Sequence, residues 1–406
     1  MNLVGKNVHT EKLSNLVLDM HQGINTVTEK VEYLPEGIPI IQSKHITKGY
    51  LHFNDAKFLS KEAYLKYKDK YQPKLDDLLV CNIGTIGKSL RISDDNPFLI
   101  AWNLFLIKIK KEHLFSSFFA HYLNYLADKK YYDRFLTGGT VKFINKKTMG
   151  NIPVPLPPLD QQKQIANILD TADAYRQKTK ALIDKYDALT QSLFLDMFGD
   201  PVTNPKGWET KKFEAFTLKY NQGVNTTTEK IKYSKEGTFP IVRAGEVGKG
   251  SLNFDSVVFV DEENESRIKD TCKPVFGDVL YANIGANLGT ACLVETTKKF
   301  GIAWNVFRIQ LKDDVNRMFF VHQLNSEWIR RVIWSKVKTA TVPFISGKQI
   351  AVMDFINPPQ EIQNQFAERV KAIEAQKALA QQELDKADEL FNSLLQKAFK
   401  GELKHK

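Results

Sequence analysis

The chain has 406 residues, of which 43% are hydrophobic, and its formal net charge is +10. The apolar fraction is ordinary for a globular protein, and the length is enough for two or three domains. No apolar run is long enough to cross a membrane and the N-terminal residues are polar, so we expect a cytoplasmic protein without a secretory signal. Cys81, Cys272 and Cys292 lie in apolar contexts without metal-ligand spacing, which favours reduced, buried thiols.

The first 157 residues are predicted to form a mixed α+β domain. Strands are expected at 38–42, 77–83, 98–109 and 151–156, and helices at 61–68 and 113–136. The Asn-Ile-Gly segment at 82–84 and its repeat at 283–285 favour hairpin turns. Trp102 and Trp304 are flanked by apolar strand residues, so we expect them in the core, with base-stacking platforms as the less favoured alternative.

Residues 158–199 are predicted to form one long helix between Pro157-Pro158 and the Gly199-Asp200-Pro201 stop. A second domain is expected at 200–357, and a second long helix after Pro358-Pro359 within 358–406. Each helix carries apolar residues at alternating three- and four-residue steps, which is typical of a coiled-coil seam. The predicted seams are Ile165, Ile168, Ala172, Tyr175, Thr179, Leu182, Tyr186, Leu189 and Leu193, and then Phe366, Val370, Ile373, Lys377, Ala380, Leu384, Ala387, Phe391, Leu394 and Ala398.

The second half of the chain repeats the first about 200 positions later, which indicates a duplicated domain and not a solenoid. The repeated pairs are QGINTVTEKVEY (22–33) with QGVNTTTEKIKY (222–233), NIG (82–84) with NIG (283–285), AWNLF (101–105) with AWNVF (303–307), TVKFINKK (140–147) with TVPFISGK (341–348), and PPLDQQKQI (157–165) with PPQEIQNQF (358–366).

The direction of the two helices follows from the size of the second domain. A compact domain of its length has a radius of gyration of about 15 Å, whereas a helix of roughly 40 residues is about 60 Å long. The end of the first helix and the start of the second must therefore be close. We expect the two helices to form an antiparallel coiled coil, with the globular domains at its opposite ends.

The positive charge is confined to the two globular segments. Residues 1–158 carry 22 basic and 15 acidic side chains, and residues 200–357 carry 22 and 18, while the helical segments are nearly neutral. This distribution favours a polyanionic partner such as nucleic acid, with a merely basic surface as the alternative.

The sequence contains no complete catalytic motif. The loop at 82–89 lacks the first glycine of a phosphate-binding loop, and NPPQ at 357–360 lacks the aromatic residue of the similar amino-methyltransferase motif. Asp128-Lys129-Lys130 has no counterpart in the second copy, and we expect none of the eight histidines to be repeated between the copies, so no duplicated acid-base or nucleophilic pair is predicted. The chain is therefore predicted to be a binding protein, and a self-sufficient methyltransferase or nuclease is the less favoured alternative.

The chain resembles the specificity (S) subunit of type I restriction-modification systems. The likeness lies in IPVPLPPLDQQKQIANILD (152–170) and FINPPQEIQNQFAERV (355–370), in LTQSLFLDMFGDPVTNPKGW (189–208) and in LFNSLLQKAFKGEL (390–403). The resemblance implies two tandem target recognition domains, 1–157 and 200–357, each reading one half of a bipartite double-stranded DNA target. It also implies that the helices space the halves and bind two modification (methyltransferase) subunits, which use S-adenosylmethionine, and that restriction subunits join outside. The alternative is a coiled-coil adaptor whose basic ends bind another partner.

Candidate DNA-binding residues follow from comparing the two copies. Gln42, Lys44 and His45 face Arg243, Gly245 and Glu246, so polar side chains differ between shared scaffold residues. Gln, Arg and Glu suit adenine, guanine and cytosine respectively, although an ordinary variable surface loop would also diverge. The shared or basic residues are instead expected to contact phosphates; they are Lys48, Lys249, Lys142, Thr140 and Thr341.

Overall fold

The computed structural model describes residues 9–136, 141–337 and 342–403. The chain divides into two compact units. Unit 1 comprises Met1–Lys180 with Gln381–Lys406, and unit 2 comprises Ala181–Ala380. Each unit contains one globular part and about half of each long helix, because the helices run through the points at which the units divide.

The globular part of unit 1 is a mixture of short strands and helices. Its strands are β1 (Thr10–Lys12), β2 (Val17–Gln22), β3 (Ile38–Ile41), β4 (Lys57–Leu59), β5 (Leu78–Cys81), β6 (Ser89–Arg91), β7 (Leu99–Ile100), β8 (Leu104–Ile109) and β9 (Pro153–Pro155). Its helices are α1 (Leu13–Leu16), α2 (Lys61–Tyr71), α3 (Ser116–Asp128) and α4 (Lys146–Gly150), with 3-10 turns at Ser43–His45 and Tyr131–Phe135. Helix α5 (Leu159–Phe198) follows and extends into unit 2.

A central sheet divides the core of unit 1 into two layers. The four strands of this sheet are antiparallel, in the order β2-β8-β5-β6. Leu78 and Val80 of β5 pack on one face against α3, whereas Leu79 and Cys81 pack on the other face against the three-stranded sheet β4-β3-β7. Because successive residues of a strand point to opposite faces, burial on both faces explains the continuous apolar run of β5.

Unit 2 repeats this architecture, which confirms the predicted duplication. Its strands are β10 (Thr210–Lys212), β11 (Thr217–Gln222), β12 (Phe239–Val242), β13 (Val258–Val260), β14 (Val279–Ala282), β15 (Ala291–Leu293), β16 (Gly301–Ile302), β17 (Val306–Leu311) and β18 (Asp354–Ile356). Its helices are α6 (Phe213–Phe216), α7 (Thr226–Glu229), α8 (Glu262–Ser266), α9 (Arg317–Asn325), α10 (Glu327–Ser335), α11 (Gly347–Ala351) and α12 (Gln360–Lys400), with 3-10 turns at Ala244–Glu246 and Asp270–Cys272. The sheet orders β11-β17-β14-β15 and β13-β12-β16 match those of unit 1 strand for strand.

The helix predicted at 113–136 is shorter than expected. Helix α3 ends at Asp128, and Lys130 then adopts a left-handed conformation with φ of 53° before a 3-10 turn at Tyr131–Phe135. In unit 2 the corresponding segment is broken at Ser326, whose side chain accepts a hydrogen bond from the Ile329 amide and so begins α10. A left-handed residue in unit 1 and a serine cap in unit 2 therefore divide segments whose apolar content alone indicates one helix.

Both long helices begin and end where the sequence predicts. Buried Gln162 donates to the Pro157 carbonyl (2.9 Å) and accepts from the Phe115 amide (2.9 Å), which ties the helix start to the segment before α3. Gln363 makes the same bond to Pro358 at 2.8 Å. Gly199 follows α5 with φ of +76°, a left-handed conformation that glycine adopts without a steric penalty.

The predicted seam of α12 is confirmed, because all of its residues are buried or half-buried. The predicted seam of α5 is only partly correct. Tyr175, Leu182 and Leu189 are 51%, 41% and 50% exposed. The inward-facing residues next to them are Arg176, Ile183 and Thr190, of which the first and the last are polar. Arg176 pairs with Asp388 of α12 at 2.5 Å and lies over the Phe391 ring at 4.3 Å. The helix thus turns a polar residue inward where the sequence offers an apolar neighbour one position away.

The two helical segments contact each other in both units, and the contacts in unit 2 show that they run antiparallel there, as predicted. In unit 1, Tyr175 donates to Glu383 at 3.1 Å, and Arg176 pairs with Asp388. In unit 2, Asp187 pairs with Lys377, while Phe198, further along α5, meets Phe366 near the start of α12, with ring centroids 5.3 Å apart. Rising numbers on one helix therefore meet falling numbers on the other in unit 2.

All three cysteines are buried and free, as expected. Burial raises the pKa of the Cys81 thiol to about 11 and that of Cys292 to about 12, so both thiols stay protonated at neutral pH. In the described part of the chain, no helix is long and apolar enough to span a membrane.

Candidate nucleic-acid interface

The recurring segments converge at one place in unit 1. The Asn82 amide donates to the Asn103 carbonyl (3.3 Å), and the Ile144 amide donates to the Asn82 carbonyl (3.0 Å). On the other side of the Ala101–Asn103 turn, Gln22 Nε2 donates to the Trp102 carbonyl at 3.2 Å. Four repeated segments that are far apart in sequence therefore form one hydrogen-bonded cluster. They are QG (with Gln22), NIG (with Asn82), AWN (with Trp102) and FI (with Ile144).

Unit 2 contains the same cluster. The Asn283 amide donates to Asn305 (3.2 Å), the Ile345 amide donates to Asn283 (2.9 Å), and Gln222 Nε2 donates to the Trp304 carbonyl (2.6 Å). The repetition of each bond shows that the sequence repeats encode a shared scaffold.

The glycine of the QG pair is required by a close backbone approach. A Cβ atom at Gly23 would overlap the carbonyl oxygens of Ile100 and Ala101, and one at Gly223 would overlap those of Ile302 and Ala303. Glycine lets the two chains pass at this distance, and so the β2 end and the AWN turn stay in contact.

This scaffold holds the turn at which the two copies differ. In unit 1, Asn103 Nδ2 donates to Ser43 Oγ at 3.0 Å. In unit 2, Asn305 Oδ1 accepts from the Ala244 amide at 3.2 Å. The 3-10 turns Ser43–His45 and Ala244–Glu246 are thus fastened to the AWN turn by the same asparagine, with divergent side chains projecting from an equivalent frame.

Two of the predicted base-contacting residues are instead structural. His45 is 0% exposed and its Nδ1 accepts a hydrogen bond from the Gln42 amide at 2.8 Å. Glu246 is 2% exposed and its Oε2 accepts from the Arg243 amide at 2.8 Å. Burial, with further contributions from Lys44 and His52, lowers the pKa of His45, so the ring is neutral at pH 7. Both side chains close their own turn, and neither is available for direct base contact in this conformation.

Arg243 is half-exposed, but most of its donors are already used. Its Nε and Nη2 donate to the Glu246 carboxylate at 3.3 and 2.9 Å, and Nη2 also donates to the Ser256 carbonyl at 2.8 Å. Nη1 remains without a protein acceptor among the residues that the structure describes. The usual bidentate contact of arginine with guanine uses N–H groups on two guanidinium nitrogens. Because Nε and Nη2 already have protein acceptors, the arginine would first have to release the Ser256 carbonyl or the carboxylate.

Of the other predicted DNA-binding residues, some are exposed, one is half-buried and two lie outside the residues that the structure describes. Lys44 is exposed and its Nζ donates to the Asp55 carbonyl at 3.1 Å, and Lys142 is exposed, whereas Gln42 is half-buried. Thr140 and Thr341 lie outside the described residues.

Lys48 and Lys249 lie beside the long helices of their own units. Lys48 lines a cavity of about 320 Å³ together with Asp173 and Arg176 of α5. In unit 2, Lys249 lines the equivalent cavity, of about 610 Å³, with Lys371 and Lys377 of α12. These lysines therefore sit on the side of each globular part that faces the helices.

Trp102 and Trp304 are not core residues, contrary to the prediction. Each is 46% exposed. The reason is that β7 ends at Ile100 and β8 begins at Leu104, so Ala101–Asn103 is a turn between strands and not part of a continuous strand. Other exposed apolar side chains occur in the repeated segments at 140–147 and 341–348. They are Val141 (57%), Val342 (51%) and Phe344 (46%). The recurrence of Trp inside a turn flanked by Asn was the sequence signal for this exposed position.

One histidine does recur, which corrects a second prediction. His121 of α3 and His322 of α9 precede the equivalent Asn124 and Asn325, which bond the β6 and β15 backbones in the same way. His121 Nε2 lies 2.7 Å from Asp170 Oδ1 on α5. His322 instead packs edge-on against Phe366 of α12, with centroids 5.4 Å apart. Both rings join a globular part to a long helix, and their different partners give no shared acid-base pair.

The chain therefore contains two copies of one α+β domain, each followed by a long helix, with divergent polar turns at equivalent positions. Residues 18–185 match the family model described as the type I restriction modification DNA specificity domain. The chain is 24% identical over 405 residues to the type I restriction enzyme EcoKI specificity subunit of Escherichia coli K12, covering 92% of this chain and 84% of that protein.

Solved structures have the same fold. The S subunit of a type I restriction-modification system from M. genitalium covers 97% of both chains with a TM-score of 0.56 and 14% sequence identity. A chain from a study of complex assembly and conformational transition of the type I R-M system covers 98% of this chain and 99% of its own length, with a TM-score of 0.51 and 15% identity. The chain is thus similar in sequence to type I restriction-modification specificity subunits, and solved S subunits share its fold.

Proposed function

We propose that this chain is the sequence-specific DNA-binding subunit of a type I restriction-modification complex, in which each globular domain reads one half of a bipartite target. The observation that carries the proposal is the pair of turns at 42–45 and 243–246. They occupy the same frame in both units yet present different polar side chains. Two readers of different bases on one scaffold need this combination.

The proposed reading domains are 1–157 and 200–357, and the proposed helical segments are 158–199 and 358–406. The helices would space the two half-sites and dock two methyltransferase subunits, with restriction subunits joining the complex. S-adenosylmethionine chemistry would reside in the methyltransferase subunits, and this chain would contribute no catalytic residue. The similarity to type I specificity subunits and the basic charge of both globular segments support this division of roles.

Each domain has one proposed base-facing group at the start of its turn. It is Gln42 in the first domain and, in the second, Nη1 of Arg243, which has no protein acceptor among the described residues. Lys44 of the divergent turn is a further proposed base reader. The proposed phosphate contacts are Lys48, Lys142, Lys249, Thr140 and Thr341. Substituting a phosphate-contacting lysine, for example Lys142→Ala, should weaken binding to all sequences alike and reduce the salt dependence of the affinity by about one ion. A change confined to one base position would instead make Lys142 a base reader.

The proposal is tested by mapping methylated bases in the host genome with and without this gene. We expect one bipartite motif to lose methylation when the gene is deleted and to regain it on complementation. The purified chain alone should transfer no methyl group from S-adenosylmethionine, and the reconstituted complex should. An unchanged methylation pattern, or methyl transfer by the chain alone, would contradict the proposal.

A further inference from the structure

The exposed indoles of Trp102 and Trp304 are unused by any contact described so far. Each side chain lies at the same position of the AWN turn and each is 46% exposed. Within residues 9–136, 141–337 and 342–403, neither ring stacks on another aromatic ring or beneath a cation, and neither Nε1 donates to a protein acceptor. Trp208 behaves differently, because its Nε1 donates to the Phe198 carbonyl at 2.9 Å.

Hydrogen bonds fix the backbone beneath each indole, whereas the ring has no stacking or hydrogen-bonding partner among the described residues. Gln22 and Gln222 bind the Trp carbonyls, and the Trp102 amide donates to Ile24 at 2.9 Å. Fixing a backbone around an exposed, unpaired tryptophan in both copies has no benefit for core packing, since leaving a large apolar side chain in water forgoes the free energy of its burial. A partner that covers the ring would recover that free energy.

The position of each tryptophan indicates which partner covers it. The residue that follows it, Asn103 or Asn305, is the one that fastens the divergent turn, by bonds of 3.0 and 3.2 Å. In the unit 1 cluster, the Asn82 backbone links Asn103 to Ile144, and exposed Lys142 lies two residues before Ile144. An aromatic surface beside a variable polar turn, with a lysine nearby in unit 1, fits the chemistry of a nucleic-acid duplex, where apolar side chains contact thymine methyl groups or wedge between base steps. In unit 2, Pro343 takes the place of Lys142, so only the aromatic surface and the turn are shared.

We infer that Trp102 and Trp304 contact bases of the DNA through their exposed indoles, one in each half-site. This inference deepens the proposed function and rests on it. The tryptophan is identical in both domains, so it supplies affinity and sets the depth at which the neighbouring turn meets the bases, whereas the side chains of that turn supply the discrimination.

The experiment uses the complex of the full chain with its methyltransferase subunits and a duplex carrying the motif found by methylation mapping. Trp102→Ala and Trp304→Ala should each weaken binding about tenfold, as loss of an aromatic contact to a base does, and Trp→Phe should restore part of the affinity. Trp334→Ala, which removes a 41% exposed tryptophan from α10 of unit 2, is the matched control and should bind as the wild type.

Direct proximity is read by photo-cross-linking, with 5-iodouracil replacing one thymine of the duplex at a time. We expect cross-links to Trp102 from one half-site and to Trp304 from the other. If an alanine variant fails to fold in a thermal unfolding test, the phenylalanine variants and the wild-type cross-links still decide the matter.

The outcomes separate the two proposals. A wild-type complex that does not prefer the motif duplex over a shuffled one refutes the proposed function. Specific wild-type binding, with wild-type affinity in both alanine variants and no cross-link at either tryptophan, refutes only the role of the indoles. Loss of methyltransferase subunits from the alanine variants, again without cross-links, would assign the surface to a protein partner and would equally overturn the inference.

Discussion

The turn at 42–45 and its counterpart at 243–246 are closed by chemically different side chains. In unit 1 the neutral imidazole of His45 accepts a hydrogen bond from the backbone amide of Gln42. In unit 2 the carboxylate of Glu246 accepts one from the backbone amide of Arg243 and also pairs with the guanidinium of that arginine. A buried carboxylate is costly unless it is paired and hydrogen-bonded. Arg243 therefore supplies the ion pair and hydrogen bonds that offset the cost of burying the Glu246 carboxylate, so the two residues depend on each other.

This coupling limits what the sequence could reveal about the site. Comparison of the two copies identified the correct turn, because divergence between shared segments is visible in the letters. It could not tell which polar side chains point inward, since His45 and Glu246 are as polar as their exposed neighbours. The direction of each side chain depends on the 3-10 geometry. In that geometry the third side chain of the turn accepts a hydrogen bond from the backbone amide of the residue just before the turn.

At the same scale, His322 should make unit 2 sensitive to acid. Burial against the long helix, with a smaller contribution from Lys377, lowers the pKa of His322 from 6.5 to about 4. Between these values the unfolded chain binds a proton that the folded chain does not, so lowering the pH favours unfolding. We expect the free energy of unfolding to be undiminished by this group above pH about 6.5 and to fall progressively toward pH 4.

The measurement is chemical denaturation across that pH range for the wild type and His322→Phe. The variant should lose less stability than the wild type on acidification, because it has no imidazole to protonate. His113→Phe, which replaces an exposed histidine, controls for the removal of a histidine as such. Equal acid sensitivity in the wild type and His322→Phe would show that this ring is not the source.

At the scale of elements, each globular part is anchored by an aromatic residue near the end of a long helix. Phe399 of α12 is 2% exposed and its ring lies 5.2 Å from those of Tyr122 and Tyr125 and 5.5 Å from that of Phe118, all on α3. Phe198 of α5 plays this part in unit 2, at 4.7 Å from Phe319. A residue near the C-terminal end of the chain is therefore part of the core of the N-terminal globular part.

Phe399→Ala should accordingly destabilise unit 1 by about 3–5 kcal/mol, the usual cost of truncating a buried phenylalanine. Hydrogen exchange of the α3 amides reports the effect directly, because α3 is the helix that loses its partner. Leu390→Ala on the same helix is the control, since Leu390 is 57% exposed and its truncation should change stability little. Unaltered protection of α3 in Phe399→Ala would mean that this contact does not hold the helix.

The long helices also show where sequence patterns succeed and fail. The limits of α5 and α12 were predictable, because a Pro-Pro start and a glycine stop fix them locally. The seam of α12 was predictable because its apolar positions offer one consistent stripe. On α5 two stripes one residue apart compete, and the one containing Arg176 and Thr190 faces inward because Asp388 and Phe391 on α12 satisfy the arginine. That choice depends on the partner helix and so is not encoded in α5 alone.

At the scale of the whole molecule, duplication gives one chain two divergent turns, the proposed readers, on equivalent frames. The scaffold bonds of Gln22, Asn82 and Asn103 recur in unit 2, so substitutions in the turns need not disturb the fold. If the helices relate the two readers by a two-fold axis, the half-sites should lie on opposite strands in inverted orientation. A target built of direct repeats read from one strand would contradict this arrangement.

The same arrangement predicts that the helices set the distance between the half-sites. Inserting seven residues after Lys178 and after Leu379 preserves the three- and four-residue seam steps, so the next seam residues, Thr179 and Ala380, which are each 6% exposed, stay inward. Each insertion lengthens its helix by about 10.5 Å. At about 3.4 Å per base pair, the unread spacer of the target should grow by roughly three base pairs while both half-sites stay the same.

The measurement is the methylated motif in cells that carry the double insertion, read base by base. A four-residue insertion at both positions is the matched control, because it disturbs the seam and rotates each helix face, and it should give a less active complex. An active seven-residue variant with an unaltered spacer would show that the helices do not set the distance. Altered half-sites would show instead that base reading extends beyond the globular domains, because the insertions leave the turns at 42–45 and 243–246 and the tryptophans beside them untouched.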